Sequence, residues 1–157
     1  MRLLMVCLGN ICRSPLAEGA LRARLDRRGL DWVEVDSAGT GGWHAGEPPD
    51  RRSIAVAAAA GADIRAQRAR KLRGADFNHF DWMLCADRSV LRDVRAMAPG
   101  GATAQTALLL EWAGQGAGAE IPDPYTGGAD DFRRVWTMVD AAAAAIVERL
   151  AGGPPSV

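Results

Sequence analysis

Cys7-Leu8-Gly9-Asn10-Ile11-Cys12-Arg13-Ser14-Pro15 is the stretch on which both the fold and the chemistry of this chain turn. It follows the apolar run Leu3-Leu4-Met5-Val6 and opens a helical pattern over residues 15–28, with Leu16, Ala20, Leu21 and Leu25 on one face and Gly29 as a stop. The stretch is therefore the turn between a buried strand and a helix. A helix N-terminus leaves backbone N–H groups unpaired and carries a partial positive charge, so it suits an anion. Ser14 reads as the N-cap and Pro15 as the first helical residue. The amides between Cys7 and Arg13 can turn inward as a nest. Arg13 adds a planar fork of donors for two phosphate oxygens. The same positive field favours a thiolate over a thiol, so Cys7 is expected to be ionised at neutral pH and to attack phosphorus. Reading Cys7 as a structural thiol and Arg13 as a surface residue leaves a loop shaped for anions unexplained.

Outward from this turn, strands and helices alternate. Residues 2–6 read as a buried strand, 32–36 as a strand, 37–49 as a glycine-rich loop and 50–60 as a helix ending at Gly61. Residues 75–80 form a short helical turn, 82–85 a strand and 88–97 a helix stopped by Pro99-Gly100. A fourth strand falls within 103–109. After the flexible loop 113–120 comes a long final helix, 130–150, with Phe132, Val135, Val139, Ile146 and Leu150 facing the core. Residues 1–151 thus form one domain, and 152–157 are a tail expected to fray. Such alternation predicts an α/β fold with a parallel sheet covered by helices on both faces. Ligands of these sheets bind at the carboxyl ends of strands, where Cys7 falls.

Composition narrows the function. A chain of 157 residues, 48% hydrophobic and 24% charged, has the size and balance of one soluble globular domain. A formal net charge of zero argues against a general nucleic-acid surface. Of the 19 basic residues only Lys71 is a lysine. Three cysteines, at 7, 12 and 85, make no disulfide framework and have no zinc spacing, and reduced thiols fit a cytoplasmic setting. No signal peptide is expected, and no apolar run approaches the length of a membrane span.

Cleavage of a phosphate ester by a thiolate needs an acid for the leaving oxygen. The best candidate is Asp123 in Ile121-Pro122-Asp123-Pro124-Tyr125, where the flanking prolines hold the backbone extended. Asp123 must carry a proton in the first step, and a nearby phosphate dianion with partial burial would help it do so. The carboxylate left behind can then activate water.

These motifs, with Asp36-Ser37-Ala38-Gly39-Thr40, Pro48-Pro49-Asp50, Asp76-Phe77 and Leu84-Cys85-Ala86-Asp87 between them, make the chain resemble the low-molecular-weight protein tyrosine phosphatases over nearly its whole length. The resemblance implies a four-stranded parallel sheet flanked by helices, hydrolysis of phosphotyrosine in proteins and of aryl phosphates through a phosphocysteine, no cofactor and no metal. It implies phosphotyrosine proteins as partners, inorganic phosphate as product, no nucleic acid or membrane, and a monomer by default. By the same resemblance Cys7 is the nucleophile, Arg13 the phosphate-binding arginine and Asp123 the acid and base. Leu8, Gly9, Asn10, Ile11, Cys12 and Ser14 form the phosphate-binding loop, with Ser14 the hydroxyl that hydrogen-bonds the thiolate. Ser37 supports the loop together with Asn10, and Gln67 stands where the family usually has a histidine of that network. Ile11, Trp43 and Tyr125 wall an aryl pocket. Cys12 is the redox partner that can trap oxidised Cys7. Three alternatives stay open: arsenate reduction, for which only Cys85 could supply a further thiol; phosphoarginine hydrolysis, whose enzymes tend to have threonine in place of Ile11; and a non-catalytic phosphate sensor. Cys85, Trp82 and Trp136 read as core, His44 and His79 as surface.

Overall fold

In the computed structural model, which describes residues 1–153, β1 (Arg2–Cys7) is buried from Leu3 onward. It lies between β2 (Glu34–Gly39) and β3 (Trp82–Cys85), and β4 (Gln105–Leu108) pairs with β3, giving a four-stranded sheet of order β2-β1-β3-β4. All pairings are parallel: Cys7 lies opposite Gly39, Val6 opposite Cys85, and Cys85 opposite Leu108. Strand order reverses between β1 and β3, so a crevice opens there at the carboxyl ends.

The period of two along β1 divides the core. Leu3, Met5 and Cys7 face α1 (Arg13–Arg28), α2 (Arg51–Ala59) and the last helix, while Leu4 and Val6 face the opposite side. That second face is covered by Leu72, by Phe77 and Phe80 from in and beside α3 (Asp76–His79), and by Val90 and Val94 of α4 (Arg88–Met97). A short α5 (Leu109–Trp112) follows β4 directly, and α6 (Ala129–Leu150) closes the chain. Helix α6 buries Phe132, Val135, Val139, Ile146 and Leu150, as its sequence pattern predicts, each side chain contributing about 1.5–3 kcal/mol. Cys85 is wholly buried with Met83 on the α4 face. No helix among the described residues is long and apolar enough to cross a membrane.

Several boundaries differ from those read in the sequence. Strand β2 starts two residues later and runs on to Gly39, because Ser37, Ala38 and Gly39 pair with Met5, Val6 and Cys7. Gly39 has to be glycine: a Cβ there would stand 2.7 Å from the Leu8 carbonyl oxygen and 3.1 Å from the Asn10 nitrogen. Helix α1 begins at Arg13 rather than Pro15, with Cys12 at its N-cap position and no side-chain cap, so Ser14 is inside the helix and its hydroxyl is used elsewhere. The expected fourth strand stops at Leu108, where the backbone turns into α5. Of the tail expected to fray, residues 154–157 lie outside the described residues.

Gly39→Ala is expected to lower stability by about 1–3 kcal/mol through overpacking against backbone, and to weaken phosphate binding with it. Gly74→Ala, where a Cβ meets nothing within 4 Å, should change stability by less than about 0.5 kcal/mol. Denaturant midpoints of the two variants against the parent check both.

Candidate active site

The loop after β1 is held with its carbonyls turned outward. Thr40 N–H donates to the Cys7 carbonyl at 3.0 Å, Gly41 N–H to Leu8 at 2.9 Å and Asp50 N–H to Ile11 at 2.8 Å. The Ser53 hydroxyl donates to the Cys12 carbonyl at 3.3 Å. With the oxygens fixed outside, the opposite edge of the loop presents N–H groups. Those of Leu8, Gly9, Ile11, Cys12 and Arg13 have no acceptor among the described residues outside regular helix and strand bonding. Such inward amides at a helix start form an anion nest.

Asn10 sets this shape. Its φ of 58° lies in the left-handed region, costly for any residue with a Cβ and best tolerated by asparagine among them. Its side chain, 2% exposed with the backbone, is fully used. Nδ2 donates to Ser14 Oγ at 2.8 Å and to Ser37 Oγ at 3.0 Å, while Oδ1 accepts the Arg70 N–H at 3.0 Å. Ser14 Oγ lies 3.0 Å from Cys7 Sγ. Because that oxygen already accepts from Asn10, its proton is free to point at sulfur. The Asn10 N–H also donates to Sγ, at 3.3 Å. Both are donors that a thiolate needs.

The far end of the network closes on Glu18, not on Gln67. Ser37 Oγ donates to Glu18 Oε1 at 2.7 Å, and Arg22 donates to Oε2 at 2.8 Å. A carboxylate outcompetes an amide as acceptor for the serine proton. Gln67 instead donates from Nε2 to the Pro15 carbonyl at 3.1 Å, and its Oε1 is buried without a partner. It steadies the first turn of α1 without touching the network. Burial is the chief cause that raises the Glu18 carboxyl above its ordinary value of 4.5, against the pull of the Ser37 and Arg22 bonds. The sequence carries one signal for Glu18: it sits among Leu16, Ala17, Gly19, Ala20 and Leu21, where the helix is apolar or small all round.

Arg13, 3% exposed, is anchored through one nitrogen. Nη1 donates to Asp87 Oδ2 at 2.7 Å and to the Ile121 carbonyl at 2.9 Å. Asp87 is itself fixed as the N-cap of α4 by the Val90 N–H at 2.8 Å. Nη2 is left toward the loop and stands 3.9 Å from Asp123 Oδ2. Asp87 therefore joins the strap after β1 to the end of β3, a role nothing local in its sequence announces.

These groups line a cavity of about 180 Å³. Residues 7–9 and 11–13 form its floor, including Ile11, and Trp43, His44, Asp123 and Tyr125 form its walls. Trp43 is 72% and Tyr125 49% exposed, so both stand at the rim. The side chain of Asp123 is 46% exposed, partly buried on the cavity wall. That loop is tied to α2: Arg52 donates to the Tyr125 and Gly127 carbonyls at 2.9 and 3.0 Å while forking Asp50. Burial pushes Asp50 up, but the Arg52 bonds outweigh it and leave its carboxyl below the ordinary value. His44, expected at the surface, is on the cavity wall with its Nδ1 at 2.5 Å from Glu47. Burial first, with Asp50 and Cys7 adding to it, pushes the Cys12 thiol up to about 12, so Cys12 is uncharged at neutral pH. Burial does the same for Cys85, on the other face of the sheet.

An α/β protein with a thiol under an amide nest, a buried arginine beside it and a carboxyl at the rim has the equipment of a cysteine-dependent phosphomonoesterase. The sequence profile described as low molecular weight phosphotyrosine protein phosphatase matches residues 2–153. The low molecular weight protein-tyrosine-phosphatase of Streptomyces coelicolor is 42% identical, covering 96% of each chain. That of Schizosaccharomyces pombe is 41% identical over 83% of this chain and 85% of its own. A crystal structure of a protein tyrosine phosphatase from Entamoeba histolytica, with Hepes in its active site, superposes with a TM-score of 0.89 at 30% identity, covering 98% of each chain. The chain belongs to the low molecular weight phosphotyrosine protein phosphatase family, protein-tyrosine-phosphatases that hydrolyse phosphoric monoesters through a phosphocysteine.

Asn10→Ala loses three side-chain hydrogen bonds and keeps a left-handed Cβ, so a loss of about 2–4 kcal/mol is expected. Asn10→Gly should recover the backbone part, about 1 kcal/mol, and still bind phosphate poorly, which separates loop shape from loop support. Glu18 gives a pH signature. Its folded value is raised, so its contribution is fully present below about 4.5 and is lost as pH rises through the raised value. Unfolding free energy measured from pH 4 upward should fall across that window in the parent and lack that fall in Glu18→Gln.

Proposed function

We propose that the nest binds the phosphoryl group of phosphotyrosine in proteins and that Cys7, Arg13 and Asp123 carry out a double displacement on it. The Cys7 thiolate attacks phosphorus in line. The bond from phosphorus to the tyrosyl oxygen breaks, and Asp123 gives that oxygen its proton. Asp123, now a carboxylate, takes a proton from water as the water oxygen attacks phosphorus. The phosphorus–sulfur bond breaks, inorganic phosphate leaves and the thiolate returns, stabilised by the Ser14 hydroxyl. The loop amides and Arg13 hold the equatorial oxygens where charge spreads in both steps. One observation carries the reading: two donors, Ser14 Oγ at 3.0 Å and the Asn10 N–H at 3.3 Å, converge on the sulfur at the floor of the cavity whose rim holds Asp123.

Ile11 below and Trp43 and Tyr125 at the rim suit a flat aryl group, and their place on one cavity supports phosphotyrosine over phosphoarginine. Cys12 lines the same cavity, which supports it as the partner that traps oxidised Cys7 in a reversible disulfide. Cys85 on the opposite face suits neither that role nor thiol-coupled arsenate reduction. All three cysteines are free, in keeping with a reducing cytoplasm.

The test is hydrolysis of p-nitrophenyl phosphate in the presence of a chelator, with vanadate as inhibitor. Cys7→Ser should abolish turnover. Asp123→Ala should lower kcat by about 10²–10⁴ while phosphate still binds. Full activity in Cys7→Ser overturns the assignment. Phosphotyrosine should be turned over faster than phosphoarginine, and the reverse order would move the substrate class.

A further inference from the structure

A second cavity, of about 430 Å³, adjoins the first. Leu8 and Trp43 line both, so the two are continuous at the rim. Its other walls are Lys71 on one side and Asp93 and Met97 of α4 on the other. A phosphotyrosine ring seated in the first cavity brings the rest of its peptide out across this rim.

The groove is built rather than incidental. Its floor is Gly41-Gly42, and Gly41 has to be glycine for the Trp43 ring that lies on it. A Cβ on Gly41 would stand 1.9 Å from the Trp43 ring, and one on Gly42 would stand 3.5 Å from the Lys71 Cβ and Cδ. The indole thus lies on bare backbone, with the lysine stem in ordinary contact beside it. Lys71 is fixed from behind as well. It forms a parallel bridge with Gly39, with the Gly39 N–H donating to the Arg70 carbonyl at 2.9 Å and the Leu72 N–H donating to the Gly39 carbonyl at 2.8 Å. The ammonium at the end of that stem has no ion pair among the described residues and is available to a ligand in the groove. Thr40 lines the same groove, and its Oγ1 is buried with no partner.

We propose that this groove is a substrate subsite that takes the peptide segment next to the phosphotyrosine and selects an acidic side chain there, held by Lys71. The proposal rests on the phosphotyrosine reading of the first cavity. Leu8 and Met97 supply apolar contact, and Lys71 is the only cation among the described residues that line the groove. Asp93 on the facing wall repels a carboxylate that enters the wrong way round, so the pair of charges sets the direction as well as the choice. Lys71 is therefore a specificity residue and takes no part in the chemical step.

The experiment compares kcat/KM on short phosphotyrosine peptides of one length, with glutamate, alanine or lysine at the positions flanking the phosphotyrosine, and on p-nitrophenyl phosphate, which has no flank. The parent should prefer the glutamate peptide over the alanine one by about threefold, chiefly in KM, with the preference fading as salt is raised. Lys71→Met should abolish that ratio, and Lys71→Glu should turn it toward the lysine peptide. A glutamate-to-alanine ratio that is the same in the parent and both variants overturns the subsite. So does an equal loss on p-nitrophenyl phosphate, which would mean that Lys71 acts through the cradle. A parent that turns over none of these substrates contradicts the phosphatase reading itself, and the subsite falls with it.

Discussion

The left-handed backbone at Asn10, held by its own side chain, is the constraint from which the reacting end of this protein follows. One amide group ties the loop to α1 through Ser14, to β2 through Ser37 and to the strip after α2 through the Arg70 N–H. Each bond is worth roughly 1 kcal/mol by itself. Together they outweigh the strain of a φ of 58° and fix the direction of every amide around it. The same bonds leave the Ser14 proton nowhere better to point than the Cys7 sulfur. Loop shape and the donors aimed at the Cys7 sulfur are thus one arrangement, terminated at Glu18 by a buried carboxylate that Ser37 and Arg22 pair.

The fold supplies what this network hangs on. Strand β1 is one of the two inner strands, paired on both edges, so the loop leaves the sheet from a fully paired strand. The loop's carbonyls are claimed by segments from the end of β2, from Asp50 and from α2, all distant in sequence. Arg13 is oriented by Asp87 and Ile121, which come from the other side of the strand-order reversal. The crevice is therefore closed by contacts that exist only once the whole sheet has formed. Asp123 is held more loosely, half exposed on a loop pinned at its far end by Arg52.

What could be read from the sequence was what depends on neighbours along the chain. The turn from Cys7 to Pro15, the alternation of strand and helix and the apolar face of α6 are local patterns, and each appears in the structure as a parallel α/β sheet with its loop at the carboxyl edge. Features set by partners across space were out of reach. Strand β2 runs on to Gly39 because β1 lies beside it. Ser14, a fair N-cap by its sequence, lies inside α1 and turns its hydroxyl to Cys7 because Asn10 draws it there. Gln67 looked like the residue to complete the network by its position in Gln-x-Ala-Arg, yet the serine proton goes to Glu18, which looks like a solvent-facing helix residue until its small and apolar neighbours are weighed. Asp87 and His44 belong to the site through tertiary contact alone.

The central claim is that the cradle makes Cys7 a nucleophile that carries the phosphoryl group. Rapid acid quench of a single turnover with radiolabelled aryl phosphate, followed by peptide mapping, measures this directly. Label is expected bound covalently to the peptide containing Cys7, appearing within the burst of phenol release and decaying at the rate of phosphate release. Phosphate released in step with the phenol, with no label on that peptide at any time, would contradict it.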